Sequence, residues 1–295
     1  MSNNTKKSFY DKWDKNPDSF FKETLDKNSD VQKWILSRNG FKSFDQFSTY
    51  LKNKRSILDA GCGNGRVTSL LYELAPLDCK IVGVDLVAAD IAKKNFKDIK
   101  RVFFETRDLT DNLSDMGKFD FIYCQEVLHH TLNPSLAFKN LCMLLEPDGE
   151  IAIYVYKKKA AAREFMDDHI REKIKKLSYE DAMIYCSQIA ELGKLLSELN
   201  IKIKVPEVKL FEIEEGEYDV QRFLYHFFAK CFWNPKLSLN DNALINYDWY
   251  HPHIATRHTI DEVEQWFTSN GLKIIHKHVD FYGITVRGIM QNHTK

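Results

Sequence analysis

Five short β-branched or aromatic runs, spaced by roughly 15–25 residues of helical character, constrain this chain most. They are Ile57-Leu58-Asp59, Ile81-Val82-Gly83-Val84-Asp85, Val102-Phe103-Phe104, Phe119-Asp120-Phe121-Ile122-Tyr123 and Ile151-Ala152-Ile153-Tyr154-Val155. Such runs are too short for amphipathic helices. With helical stretches between them they predict parallel strands joined by crossover helices on both faces. The alternation stops at Tyr156, and residues 157–257 read as mostly helical. Strand character returns at 273–279 and 284–289. Between these regions Thr259 and Glu262 make a capping box ahead of Val263, Trp266 and Phe267, with Gly271 as terminator. Asp280-Phe281-Tyr282-Gly283 suits a hairpin link between the last two strands. The expected fold is α/β: a doubly wound seven-stranded sheet ending in an antiparallel strand pair, plus a mostly helical insert.

This reading divides the chain into four parts. Residues 1–54 form an N-terminal helical cap anchored by Trp13, Phe20, Phe21, Trp34, Ile35, Phe41, Phe44 and Phe47. Residues 55–156 form the core, 157–257 the insert, and 258–295 the completion of the core. Lys plus Arg and Asp plus Glu both number 42, so the chain lacks the basic excess of a dedicated nucleic-acid binder. No apolar run approaches the ~18–20 residues of a membrane span. The first ten residues are polar, without an apolar signal core, which leads us to expect a cytoplasmic protein. The six cysteines include no CxxC, so reduced buried thiols are expected rather than disulfides or zinc.

The most informative segment is Asp59-Ala60-Gly61-Cys62-Gly63-Asn64-Gly65-Arg66-Val67, a strand running into a glycine-rich turn and then a helix. In open α/β sheets ligands sit at the carboxyl ends of strands, where glycines let the backbone approach them. A dinucleotide fingerprint needs Gly or Ala at the sixth position; here it is Arg66, which disfavours a nicotinamide oxidoreductase.

The GxGxG spacing behind Asp59 resembles the first motif of class I S-adenosylmethionine-dependent methyltransferases. The resemblance runs over roughly 100 residues and four motifs in order. Asp85 ends the second strand, 20 residues after Gly65. Asp108-Leu109 follows the third. Residues 119–130, ending Gln125-Glu126-Val127-Leu128-His129-His130, match the fourth strand and its following helix, and residues 145–150 match the turn before the fifth. The resemblance implies a Rossmann-like sheet that binds S-adenosylmethionine and releases S-adenosylhomocysteine, with no metal. It implies that Asp59 acts on the methionine amine and that Gly61, Gly63 and Gly65 make room for the methionyl and ribose parts. It further implies that Asp85, with Leu86, holds the ribose, that Asp108 and Leu109 hold adenine, and that Gln125 caps the donor or faces the acceptor.

On the acceptor side, Tyr156, Lys157, Lys158 and Lys159 follow strand five at the ligand-facing edge, with Arg163 beyond them. They suit a clamp for an anionic acceptor. Residues 210–250 are about twice as rich in aromatics as the chain overall, a composition that suits a small-molecule pocket. Arg222, Tyr225, His226, Trp249 and Tyr250 are the substrate candidates there. The polar stretch 247–259 contributes Arg257 as a further substrate ligand and His251, His253 and His258 as candidate bases. A metal site using those histidines with His226 is the weaker alternative, because no HxxxH falls on a helix. His129 and His130 read as packing residues. Residues 9–13 read either as a cover over the cofactor or as a helix packed on the sheet edge.

The expected activity is in-line methyl transfer, O- or N-directed, to a small anionic acceptor such as a sugar nucleotide, a phosphorylated metabolite or a carboxylate. Rivals are an RNA methyltransferase and a non-catalytic S-adenosylmethionine-binding regulatory subunit. A nucleic-acid or membrane partner is not expected. Monomer and homodimer both remain open.

Overall fold

A computed structural model describes residues 2–291. Four helices open the chain: α1 (Asn3–Lys15), α2 (Phe21–Leu25), α3 (Asp30–Arg38) and α4 (Phe44–Leu51). Ser2, Ser29 and Ser43 cap three of them, each side chain accepting a first-turn N–H. Strands and helices then alternate: β1 (Ser56–Ala60), α5 (Arg66–Leu74), β2 (Lys80–Asp85), α6 (Ala89–Asn95), β3 (Val102–Thr106), β4 (Phe119–Gln125), α7 (Pro134–Cys142) and β5 (Leu145–Tyr156). There follow α8 (Ala161–Ile174), α9 (Tyr179–Glu198), β6 (Lys202–Val205), β7 (Gly216–Asp219), α10 (Val220–Phe227) and α11 (Leu239–Tyr250). The chain ends in α12 (Ile260–Ser269), β8 (Leu272–Val279) and β9 (Gly283–Met290).

Two compact units result. One carries the chain up to Lys157 and from Thr256 onward; the other is Lys158–Ala255. The first holds a seven-stranded sheet in the order β3-β2-β1-β4-β5-β9-β8. The first five strands are parallel, and β9 runs antiparallel to both β5 and β8. One face is covered by α7 and α12 through Phe138, Leu141, Val263 and Phe267. The other is covered by Ile35, Leu36, Phe47, Leu51, Leu70 and Leu71. Interior strands buried on both faces must be apolar throughout, which is why β1, β2 and β4 read as continuous runs. At the edge, β8 alternates between partly buried and exposed positions after a buried Leu272. The Thr259–Glu262 capping box is formed, and Gly271 adopts φ +74° just beyond α12.

The second unit is built on α9 and α11 and includes a two-stranded antiparallel hairpin, β6–β7. Its charged centre is Asp167, fully buried beside Arg163. Among the described residues no helix is long and apolar enough to cross a membrane. All six cysteines are free and buried.

Candidate functional site

The glycine-rich turn after β1 is left-handed at Gly61 (φ +85°), Gly63 (+54°) and Gly65 (+92°). Crowding reinforces that need. A Cβ on Gly61 would come within 2.2 Å of Val127, one on Gly63 within 3.0 Å of Trp13, and one on Gly65 within 2.9 Å of Phe96. The turn is tied to the next strand: the Val84 carbonyl accepts the N–H groups of Gly61 (2.7 Å) and Cys62 (2.9 Å).

Asp85, at the end of β2, organises the same turn. Its Oδ2 accepts the Gly63 N–H (3.0 Å), and its Oδ1 accepts those of Val87 and Ala88 (2.9 Å each). Burial pushes its pKa up against these three bonds. Asp59 is buried at the end of β1 and accepts a 2.6 Å hydrogen bond from the Thr68 hydroxyl. Burial raises its pKa to about 7. Asp108, past β3, accepts from the N–H and hydroxyl of Thr110 at 3.0 and 2.7 Å. Its partial burial opposes ionisation, but these bonds prevail and its pKa is lowered. Leu86 is half-buried beside Asp85. Leu109 packs into the sheet core, and the Asn140 amide donates to its carbonyl at 3.0 Å. At the end of β4 the Gln125 Oε1 accepts from the Tyr123 hydroxyl (2.8 Å), which in turn accepts from the Asn39 amide (3.2 Å). The Gln125 Nε2 is buried, with no acceptor in reach among the described residues.

Helix α1 lies against this edge. Trp13 packs with Phe9, Val87, Ala88 and Ile91 as well as on Gly63. Phe9 meets His130 edge-on at 4.8 Å. The link after α1 is fastened to the turn by the Asn64 amide, which donates to the carbonyls of Pro17 (3.2 Å) and Ser19 (3.0 Å). Asn95 adds a 2.8 Å bond to Pro17.

His129 and His130 are buried after β4, and His129 stacks on Tyr156 with ring centroids 3.7 Å apart. The chain re-enters the first unit here. Thr256 donates its N–H (2.8 Å) and hydroxyl (3.1 Å) to the His129 carbonyl, and the His258 N–H donates to the Tyr156 carbonyl (2.8 Å). The His258 ring sits 2.9 Å from the Thr256 hydroxyl and 3.5 Å from the Glu262 carboxylate. Tyr156, Lys157, Arg257 and His258 therefore belong to the first unit.

The remaining candidates lie in the second unit. His251 Nε2 contacts the Leu177 carbonyl at 3.2 Å, and its ring stacks on Tyr247. His253 Nε2 contacts the Lys175 carbonyl at 3.1 Å. Trp249 Nε1 and the Tyr250 hydroxyl both donate to Asp167, each at 2.8 Å. Arg163 pairs with Asp167 at 2.6 Å and donates to the Tyr225 carbonyl. Tyr225 lies edge-on to His226 at 5.0 Å. Arg222 donates to the Trp233 carbonyl at 3.1 Å. Lys159 places its Nζ 5.5 Å from the Trp249 ring centroid. Among the described residues no cluster of His, Cys, Asp or Glu could hold a metal ion.

Two side chains passed over in the sequence stand out in the first unit. Arg38 and Thr285 are buried, and two Arg38 nitrogens and the Thr285 hydroxyl have no partner among the described residues. Arg38 ends a helix like many surface arginines, and Thr285 sits inside an apolar strand, so neither carried a sequence signal.

The first-unit edge fits S-adenosylmethionine. A turn with glycine at every other position, two acids after adjacent strands and an amide donor at β4 unanswered among the described residues all stand at the carboxyl ends of neighbouring parallel strands. A family model for a methyltransferase domain matches residues 34–203. The ubiquinone biosynthesis O-methyltransferase of Coxiella burnetii is 30% identical over 104 residues, covering 34% of this chain and 43% of that protein. The enzyme of the same description from Rickettsia typhi is 24% identical over 188 residues, covering 59% and 73%. An uncharacterized Synechococcus protein is 35% identical over 105 residues, covering 34% and 25%. The chain thus spans less than half the length of the first curated relatives it matches. Among solved structures, PKMT2 from Rickettsia typhi shares the fold at 15% identity with a TM-score of 0.53, covering 85% of this chain and 52% of that one. The fold, the strand-end acids and a family match over more than half of the sequence agree: the chain belongs to the methyltransferase-domain family, among the class I S-adenosylmethionine-dependent methyltransferases.

Proposed function

We propose that the protein transfers a methyl group from S-adenosylmethionine to an oxygen of a small acceptor bearing an anionic group. The observation that carries this reading is the convergence of the glycine turn, Asp85, Asp108 and Gln125 at the ends of β1 to β4. The O-methyltransferase relatives support an oxygen acceptor. When bound, the sulfonium supplies an already activated methyl group, so positioning can provide much of the rate. The chain's own residues do the positioning. Asp85 uses three backbone donors to fix its carboxylate and keeps an acceptor lone pair for a ribose hydroxyl. The Gln125 Nε2 offers a donor beside the transfer point.

An acceptor hydroxyl must lose its proton, and we assign the base to His258. It is the candidate histidine carried by the first unit; the Thr256 hydroxyl, which gives its proton to the His129 carbonyl, makes Nε2 the donor and leaves Nδ1 as the basic nitrogen. His251 and His253 are engaged with backbone carbonyls of the second unit. We place this activity in the cytoplasm, with a monomer or homodimer as the working form.

Calorimetric titration with S-adenosylmethionine, S-adenosylhomocysteine and NADH, using Asp85→Ala as control, tests the reading. Tight binding of both adenosyl ligands, lost in Asp85→Ala and absent for NADH, is the expected result. Failure of both adenosyl ligands to bind would overturn it. With a labelled methyl donor, His258→Asn should lower turnover and leave S-adenosylhomocysteine affinity unchanged.

A further inference from the structure

The lateral register of the sheet lines up one row of side chains across four strands. Gln125 of β4 stands opposite Tyr154 of β5, Tyr154 opposite Thr285 of β9, and Thr285 opposite His278 of β8. Residues directly opposite one another share a face. Helix α3 lays Arg38 over this row, its guanidinium 5.7 Å from the Tyr154 ring, 4.6 Å from Trp34 and 5.4 Å from Tyr282. Asp280, in the β8–β9 turn, takes one Arg38 nitrogen and also accepts from His278 at 3.2 Å.

Four polar atoms of this row are buried with no partner among the described residues: Gln125 Nε2, Thr285 Oγ1, and Arg38 Nε and Nη1. Buried polar groups nearly always find partners, so four orphans along one row call for an explanation. Stacking on the three rings satisfies the face of the guanidinium, not the N–H groups in its plane. Three of the four atoms can only donate, and the fourth is a hydroxyl. The missing partner is therefore an acceptor, and beside a guanidinium it is best an anion. The row begins at Gln125, at the proposed transfer point, and runs away from it along the sheet.

We propose that Gln125, Thr285 and Arg38 form a donor row that holds the anionic oxygen group of the acceptor, setting the distance from that group to the methylated oxygen. This rests on the methyl-transfer reading for its purpose. The lysines after β5 are not required for it.

Ligand-observed NMR titrations of the whole chain, with and without S-adenosylhomocysteine, would compare benzoate, phenyl phosphate and neutral benzyl alcohol. The wild type should bind at least one anion about tenfold more tightly than the alcohol. Whichever anion is preferred identifies carboxylate or phosphate as the source of the group. Arg38→Met should abolish the preference. That variant strands Asp280 and can fail to fold, so the near-isosteric, uncharged Thr285→Val provides a second test. It should cut the preference roughly threefold while leaving S-adenosylhomocysteine affinity unchanged. Equal binding of anions and alcohol by the wild type, or a preference intact in Thr285→Val, overturns the proposal. The S-adenosylhomocysteine arm reports separately on the methyl-transfer reading: an anion preference without adenosyl binding would sink that reading and leave the donor row standing.

Discussion

Replacing Asp167 by Asn should destabilise the second unit about twice as much as replacing its partner Arg163 by Met. Asp167 accepts four hydrogen bonds. Arg163 Nε (2.6 Å) and Trp249 Nε1 (2.8 Å) reach Oδ2, while the Tyr250 hydroxyl (2.8 Å) and the Lys230 N–H (3.1 Å) reach Oδ1. An Asn presents at least one of its oxygen positions as a donor and leaves a fully buried guanidinium without a counter-charge. Breaking a buried pair this way costs about 3–5 kcal/mol. Arg163→Met strands a buried charge as well, but three remaining donors still solvate that carboxylate, so roughly half that loss is expected. Urea unfolding of the full chain, followed by tryptophan fluorescence and circular dichroism together, measures both. Two transitions are expected, because two compact units need not unfold as one. Equal losses, or an Asp167→Asn change below about 1 kcal/mol, would refute the reasoning. The result also bears on the aromatic substrate candidates: if Trp249 and Tyr250 are committed to Asp167, their polar tips are not free to select an acceptor.

Three further outcomes follow from the first unit. Gly61→Ala should cost about 2–4 kcal/mol, from a left-handed backbone and a clash with Val127, and a Val127→Ala background should return the clash portion in a double-mutant cycle. Asp59 has a folded-state pKa raised to about 7 against an ordinary 3.8, so the native state holds a proton that the unfolded state has released. Its protonated form adds stability that is fully present below about pH 4 and is lost as pH rises through about 7. Asp59→Asn should flatten that part of the stability–pH curve, measured by urea midpoints at pH 5 and 7.5. Trp13→Ala removes the ring over Gly63 and should speed release of S-adenosylhomocysteine in stopped-flow experiments; an unchanged off-rate would show that α1 does not hinder exit.

The parallel half of the sheet was legible because each interior strand is buried on both faces and must be apolar along its length. The acids at strand ends were legible because chain order alone puts Asp59, Asp85 and Asp108 at one edge. The β6–β7 hairpin was missed within a stretch read as helical. Its Lys202-Ile203-Lys204-Val205 alternation is short and half-exposed, and weighs little beside long helices. Arg38 and Thr285 were illegible for a different reason. They come to the same row only through the lateral register of β5, β9 and β8 and the seating of α3, and no local pattern relates positions 247 residues apart. The capping box at Thr259 shows the opposite case, where three residues of local spacing suffice.

The place of β9 in the sheet has a consequence for how the molecule comes into being. Gly283–Met290 is made after every other described strand, yet it is threaded between β5 and β8 rather than added at the rim. Until it emerges from the ribosome, β5 presents an open row of backbone donors and acceptors, a template for pairing with other chains. The interval is long, because the whole Lys158–Ala255 unit must be synthesised in between. If that unit folds by itself, it shortens the effective loop that β9 must close, and the entropic penalty grows only slowly with what remains. Nascent chains stalled before residue 283 should therefore be the most chaperone-dependent and the most prone to aggregate, and those stalled beyond 290 the least.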